Sequence, residues 1–167
     1  MATTLGFTTP SLIAATTGIV GSAWTSGAIA SISLIGIPAY LSSPDTSAQI
    51  WATSYERGKN TMPKVAIAVA LAYFYAAYDS HGRDAAGAWK GFLGAAGLVL
   101  VILPFTRAVM KPTNDSLHSI ASGSSATPQI QSGGLLKKWS ALNIIRSLFP
   151  LAGAALGFVT LLANATA

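Results

Sequence analysis

The sequence predicts an all-α fold, an integral membrane four-helix bundle, and two observations carry that prediction. The first is where charge is missing. No Asp, Glu, Lys, Arg or His precedes Asp45, and none occurs in Val65–Tyr78, Gly91–Thr106 or Ser147–Ala167. The second is composition: 9% of residues are charged and 51% are apolar, where a soluble domain carries about 25% charged residues. A water-facing helix needs a polar stripe, and none of the four blocks has one. In lipid only helices and closed barrels satisfy the backbone. Four apolar blocks between polar loops therefore read as four spanning helices in a single 167-residue domain.

The first helix is placed at about 11–41. Thr16, Thr17, Ser22, Ser31 and Ser33 dilute it, but hydroxyls bond back to helix carbonyls at little cost. The second is placed at about 61–78. Its apolar block alone is short of the ~20 residues a bilayer needs, so Thr61–Pro63 extends it; Pro63 suits a first turn and Lys64 snorkels to the headgroups. Ser42–Asn60 reads as a loop with a short interfacial helix around Trp51, because Trp51, Tyr55, Glu56 and Arg57 mix aromatic rings with charge. Asp79–Ala88 reads as a tight turn. The third helix is placed at about 88–109 and is ended by Pro112; Thr113, Asn114 or Asp115 would cap a short helix through Leu117 and Ile120. The Ser- and Gly-rich 119–134 stretch reads as a flexible loop. The fourth helix is placed at about 142–163. Gly153/Gly157 and Gly87/Gly91 form GxxxG steps that favour close helix approach; packing inside one bundle is the main reading, a homo-oligomer the residual one.

Charge gives an orientation. Arg57, Lys59, Lys64, Arg107, Lys111, Lys137, Lys138 and Arg146 belong to the loops after helices 1 and 3 and their flanks, while only Arg83 and Lys90 belong to the loop after helix 2. The positive-inside rule then puts the loops after helices 1 and 3 in the cytosol and both termini in the lumen. So distributed, the net charge of +5 speaks for a lipid bilayer as partner and against nucleic acid. The N-terminus lacks a basic n-region, so no signal peptide is expected. With no cysteine, disulfides, thiolate metal sites and cysteine nucleophiles are excluded. His81 and His118 fall on opposite sides of this topology, so a metal site shared between them is not expected. No phosphate loop, nucleophile elbow or dinucleotide fingerprint occurs.

The unusual polarity lies near the cytosolic ends of helices 3 and 4. Trp139, Asn143, Arg146 and Pro150 recur at helical spacing and share one face. Pro150 has no N–H, so the carbonyl of Arg146 loses its helical donor. An ionisable residue in a membrane helix is costly and is by default a functional candidate; the alternative is that Arg146 snorkels to the surface. Asn143 has no snorkelling stem and needs a partner. Asn114 either caps a helix or turns inward to meet Asn143 and Arg146. His118 is a candidate base or a solvated loop histidine.

Two segments resemble a known family. Pro104-Phe-Thr106…Met110-Lys-Pro-Thr-Asn114…Leu117, followed by Trp139…Asn143-x-x-Arg146-x-x-x-Pro150-Leu-x-Gly153, is similar to the anthrone oxygenase-like proteins, small membrane proteins of fungal polyketide pathways; Trp51…Tyr55…Gly58 also fits. The similarity runs from about Trp51 to Phe158. It implies four membrane helices, an endoplasmic reticulum location, and oxidation of an anthrone to an anthraquinone by O2 as co-substrate without flavin, haem or metal. Under it Arg146, Asn143, Asn114 and His118 are candidate catalytic residues. Trp51, Tyr55, Trp139 and Thr106 are candidate contacts for a small aromatic polyketide. The rival readings are a cyclase or isomerase of a polyketide or terpenoid, and a non-catalytic membrane scaffold for pathway enzymes.

Overall fold

A computed structural model describes residues 7–82 and 87–165. Four long helices make up the fold: α1 (Thr9–Leu41), α2 (Ser47–Gly82), α3 (Ala88–Ala121) and α4 (Gly133–Ala165). No strand occurs among the described residues. Each helix is long and apolar enough to cross a membrane, with mean hydropathies of 1.4, 1.2, 2.0 and 1.7 over their most apolar windows. Only 33%, 33%, 28% and 33% of those windows is buried within the chain. Val20, Trp24, Leu34, Ile35, Leu71, Val159 and their like face outward, as lipid-facing side chains do and a soluble bundle does not.

The helices exceed the expected bounds at their polar ends. α2 begins at Ser47, so the segment read as a loop with an interfacial helix is the first part of one helix, and Pro63 lies within it. Ser47, Trp51 and Tyr55 turn inward at four-residue spacing, and that burial holds the extension. α4 begins at Gly133, where Leu136, Trp139 and Asn143 supply a buried stripe. α3 does not stop at Pro112 but runs on to Ala121. A π-helical turn over Thr106–Met110 precedes the proline, and Pro112 occupies the first turn of the α-helix that follows. Thr113 and Asn114 are buried side chains, not caps. α1 repeats the device: a π turn over Ile32–Gly36 precedes Pro38. The wider turn absorbs the clash and missing N–H that a proline brings to a helix interior.

The loop read as 119–134 is shorter and partly ordered. α3 closes in a Schellman motif, Gly123 N–H to the Ile120 carbonyl and Ser124 N–H to the Ser119 carbonyl, and Gly123 takes the φ of +72° that this closure requires. A single 3-10 turn over Gln129–Gln131 follows, and buried Ser132 bonds to Ser47 Oγ at 2.8 Å. The turn read at Asp79–Ala88, with Arg83, lies partly outside the described residues.

The chain divides into two compact units. One takes residues through Ser26, Lys64–Ile102, and Leu148 onward. Its keystone is Tyr73, fully buried on α2, which donates a hydrogen bond to the Gly153 carbonyl (3.1 Å) and accepts one from Ser22 Oγ (3.4 Å). Gly18 of α1 and Gly157 of α4 leave room for its ring, and Gly153 packs on the α3 backbone at Ala95. Gly91 faces Thr160. The Gly153/Gly157 step and Gly91 of the other are thus filled from within the chain. The second unit takes Gly27–Pro63 and Leu103–Ser147. Its core is Ile37, Trp51, Met110, Leu117, Leu136 and Trp139.

Candidate active site

All eight candidate residues lie in the second unit. Arg146 is held by two neutral oxygens. Its Nη1 donates to Thr106 Oγ1 of α3 at 2.9 Å, and its Nη2 donates to Asn143 Oδ1 one turn earlier at 2.6 Å. Its Nε is buried and has no hydrogen-bond partner. Among the described residues no carboxylate lies within ion-pair distance of it. A snorkelling arginine would reach headgroups; this one donates to buried Asn143 and to half-buried Thr106, at the start of the α3 π turn. A half-buried cation with a buried, idle Nε–H and no carboxylate beside it among the described residues is an arrangement that gains when an anion arrives.

Asn143 is fully buried. It gives its amide N–H groups to the Ile29 carbonyl and to Ser33 Oγ, each at 2.8 Å. Asn114 turns inward, as one reading of the sequence had it, but its partners differ from those expected. Its Nδ2 donates to Tyr55 Oη (3.2 Å), and its Oδ1 accepts from Trp139 Nε1 (2.9 Å), so its bonds go to the aromatic residues and not to Asn143 and Arg146. The Thr106–Arg146 and Asn114–Trp139 contacts form two rungs between antiparallel α3 and α4. They are eight residues apart on α3, about 12 Å at the helical rise, with buried Met110 between them.

Around the second rung the rings cluster. Trp51 lies 5.1 Å from Tyr55 in a stacked pair, 5.0 Å from His118, and 5.8 Å from Trp139 edge-on. Tyr55 and His118 are 5.1 Å apart, edge to face. His118 is therefore packed against aromatic rings on one side, and its Nε2 lies 3.9 Å from Glu56 Oε1 on the other. Trp51 and Trp139 are buried at 0% and 2% exposure, so neither presents an open face on which a substrate could stack. Trp51 Nε1 is buried with no partner.

Four participants are not marked by the sequence: Ser33, the Ile29 carbonyl, Glu56, and Ser140, which exchanges hydrogen bonds with Ser33 between α4 and α1. Ser33 counts in the sequence only as an inexpensive membrane hydroxyl. Pro38 gives a partial signal: in a regular helix it strips the donor from the Leu34 carbonyl, and only the π turn over Ile32–Gly36 shifts that loss to Ser33. In the sequence Glu56 looks like headgroup-level charge; on the extended α2 it lies beside His118. Among the described residues no group of three or more His, Cys, Asp or Glu is placed to hold a metal ion.

Residues 51–156, which include Trp51, Tyr55, Thr106, Asn114, His118, Trp139, Asn143 and Arg146, match the family model described as anthrone oxygenase. The chain belongs to the anthrone oxygenase family. Its relatives include Monooxygenase hypC of Dothistroma septosporum, 35% identical over 81% of this chain and 75% of the relative. Anthrone oxygenase nsrD of Aspergillus novofumigatus is 34% identical over 87% of this chain and 91% of its own. Anthrone oxygenase dmxR16 of a Cryptosporiopsis species is 30% identical over 86% and 82%. No solved structure matches. The family match covers α3 but begins within α2 and ends within α4, leaving out α1, which supplies Ser33 and Ile29 to the site.

Proposed function

We propose that this chain is a membrane-embedded oxygenase that converts the anthrone of an aromatic polyketide to an anthraquinone, with O2 as co-substrate and no bound cofactor. Beside the family match, the observation that carries this reading is Arg146: a half-buried guanidinium whose buried Nε–H is unused and which, among the described residues, has no carboxylate within ion-pair distance. The chemistry asks for little more. The methylene of an anthrone is acidic because its carbanion is an aromatic phenolate-type enolate. Removal of one C–H proton puts negative charge on the ring-carbonyl oxygen, where Arg146 pairs with it. The electron-rich enolate reduces O2 and captures it as a hydroperoxide on the same carbon. Loss of the second C–H proton with cleavage of the O–O bond leaves a carbonyl and releases water. One oxygen atom of O2 enters the product and the other becomes water, so the substrate itself supplies the electrons.

In this reading His118, beside Glu56, takes the proton, and Asn143 and Thr106 hold the guanidinium. Asn114 fixes Tyr55 and Trp139, and Tyr55, half-buried against the Trp51–Trp139 core, offers its ring as an apolar face for a flat substrate. Such a substrate partitions into lipid, and a dry surround strengthens each electrostatic contact. The reading is tested with purified protein in lipid nanodiscs and a hydroxylated anthrone. The expected result is quinone formation under air, none without oxygen, undiminished turnover with chelator, and less than one-tenth equivalent of iron, copper or zinc per chain. Product formation without oxygen would favour the isomerase or cyclase alternative; a stoichiometric metal whose removal stops turnover would end the cofactor-free proposal.

The same proposal places the protein in the endoplasmic reticulum with its termini lumenal. The support is the asymmetry of Lys and Arg, eight on the side of the first and third loops against Arg83 and Lys90. A glycosylation reporter fused after Ala167 is expected to be modified in microsomes, whereas Asn114, in the Asn114-Asp-Ser sequon, stays unmodified. An unmodified reporter reverses the orientation.

A further inference from the structure

Ser33 lies on α1, outside the residues the family match covers, yet it is bonded to the Arg146 network. The polarity of the chain of bonds is fixed. Ser33 Oγ–H donates to the Ser140 carbonyl at 3.1 Å, so its lone pairs remain to accept from Asn143 Nδ2 at 2.8 Å. The other acceptor for Nδ2 is the Ile29 carbonyl. With both amide hydrogens engaged on α1, the amide oxygen of Asn143 has one direction left, toward Arg146 Nη2.

The backbone explains why Ser33 is available for this. α1 widens into a π turn over Ile32–Gly36, in which N–H groups bond five residues back, as Ile37 N–H does to the Ile32 carbonyl. The next donor would be residue 38, which is proline and has none. The Ser33 carbonyl takes the Ser140 hydroxyl instead, at 3.4 Å. Ser33 and Ser140 thus clasp α1 to α4 in both directions, one turn from Asn143. α3 offers its own π-turn residue, Thr106, to the other arm of Arg146. A π turn from each of two helices meets the same network, in keeping with their frequent place at functional sites.

We infer that Ser33 is a positioning residue for the guanidinium of Arg146, acting through the amide of Asn143; this rests on the oxyanion role proposed for Arg146. Without the Ser33 hydroxyl the amide keeps one anchor, Ile29, and gains freedom to swing its oxygen off Nη2. The guanidinium then loses its fixed aim, and a misaimed group costs rate more than binding.

The test measures kcat and KM for a hydroxylated anthrone with the full chain in nanodiscs. Ser33→Ala is expected to lower kcat about tenfold with KM within twofold, and Ser33→Thr, which keeps the hydroxyl, is expected to recover most of it. In an Asn143→Ala background Ser33→Ala is expected to add nothing, because the link it acts through is gone. Ser31→Ala, an exposed hydroxyl that bonds only within α1, is the control at wild-type rate. If Ser33→Ala does not accumulate, Ser33→Cys replaces it, with the same expectations. A wild-type kcat for the Ser33 variant beside a damaged Arg146→Lys overturns the inference and leaves Arg146 in place. Equal losses in both Asn143 backgrounds overturn it too, as a merely structural serine would behave. Wild-type rates for both Ser33→Ala and Arg146→Lys bring down the inference and the oxyanion role together.

Discussion

Arg146→Lys is expected to insert and accumulate normally while losing roughly a hundredfold in turnover, about 2.7 kcal/mol of barrier. Lysine keeps the charge but not the planar fork. In the native protein two arms of the fork are spoken for, Nη1 by Thr106 and Nη2 by Asn143, which leaves Nε–H free. A lysine ammonium in the same space can serve Thr106 or Asn143 or an enolate oxygen, but it lacks the geometry that aims one donor while two others anchor it. Its flexible stem also reaches headgroups easily. Asn143→Ala is expected to show the same product with a smaller loss, since Thr106 still holds one arm. Arg107→Lys, exposed and next to Thr106, serves as control. Rates are compared in membranes after normalising to protein amount. A near-wild-type rate for Arg146→Lys places the residue at the membrane interface and outside the chemistry.

The largest effect on the fold is expected from Gly157→Ala. A Cβ at this position would stand 2.6 Å from Tyr73 Oη and 2.7 Å from its Cε1. The ring cannot simply move away, because a Cβ at Gly18 would stand 2.7 Å from the same Cε1, so the α1 backbone already borders that edge. Relief requires breaking the Tyr73 bond to the Gly153 carbonyl or separating helices. Overpacking of this kind costs about 1–3 kcal/mol, and the buried hydroxyl left unpaired adds about 1–3 kcal/mol. Thermal unfolding in detergent is expected to occur well below the wild-type midpoint. Gly97→Ala, where an added Cβ meets nothing within 4 Å, is expected to be neutral or slightly stabilising. Equal midpoints for the two variants would show that the Tyr73 slot is looser than described.

Four spans and an all-α fold were legible because missing charge is a signal that survives without any alignment. Helix ends were not legible in the same way. Hydropathy marks where a helix enters polar surroundings, and α2 and α4 continue past that point because Trp51, Tyr55, Leu136 and Trp139 bury themselves against α1 and α3. The four-residue spacing of Ser47, Trp51 and Tyr55 was in the sequence, but charge from Glu56 and Arg57 on the outer side masked it. Pro112 misled for a physical reason: a proline ends a regular α-helix, yet a π turn before it lets the helix pass. The face bearing Trp139, Asn143 and Arg146 was readable from spacing alone. What spacing cannot say is which helix answers it. Asn143 is answered by a serine and a carbonyl of α1, and Asn114 by two aromatic side chains, contacts between segments far apart in sequence.

The fate of the oxygen atoms decides most directly whether this protein is a cofactor-free oxygenase. Purified wild-type protein in nanodiscs, with a hydroxylated anthrone under 18O2, is expected to consume one O2 per anthrone and to place one labelled oxygen at the former methylene carbon, at a rate that Arg146→Lys lowers roughly a hundredfold. A quinone whose new oxygen comes from water, or a labelled quinone formed no faster than without protein, would contradict it.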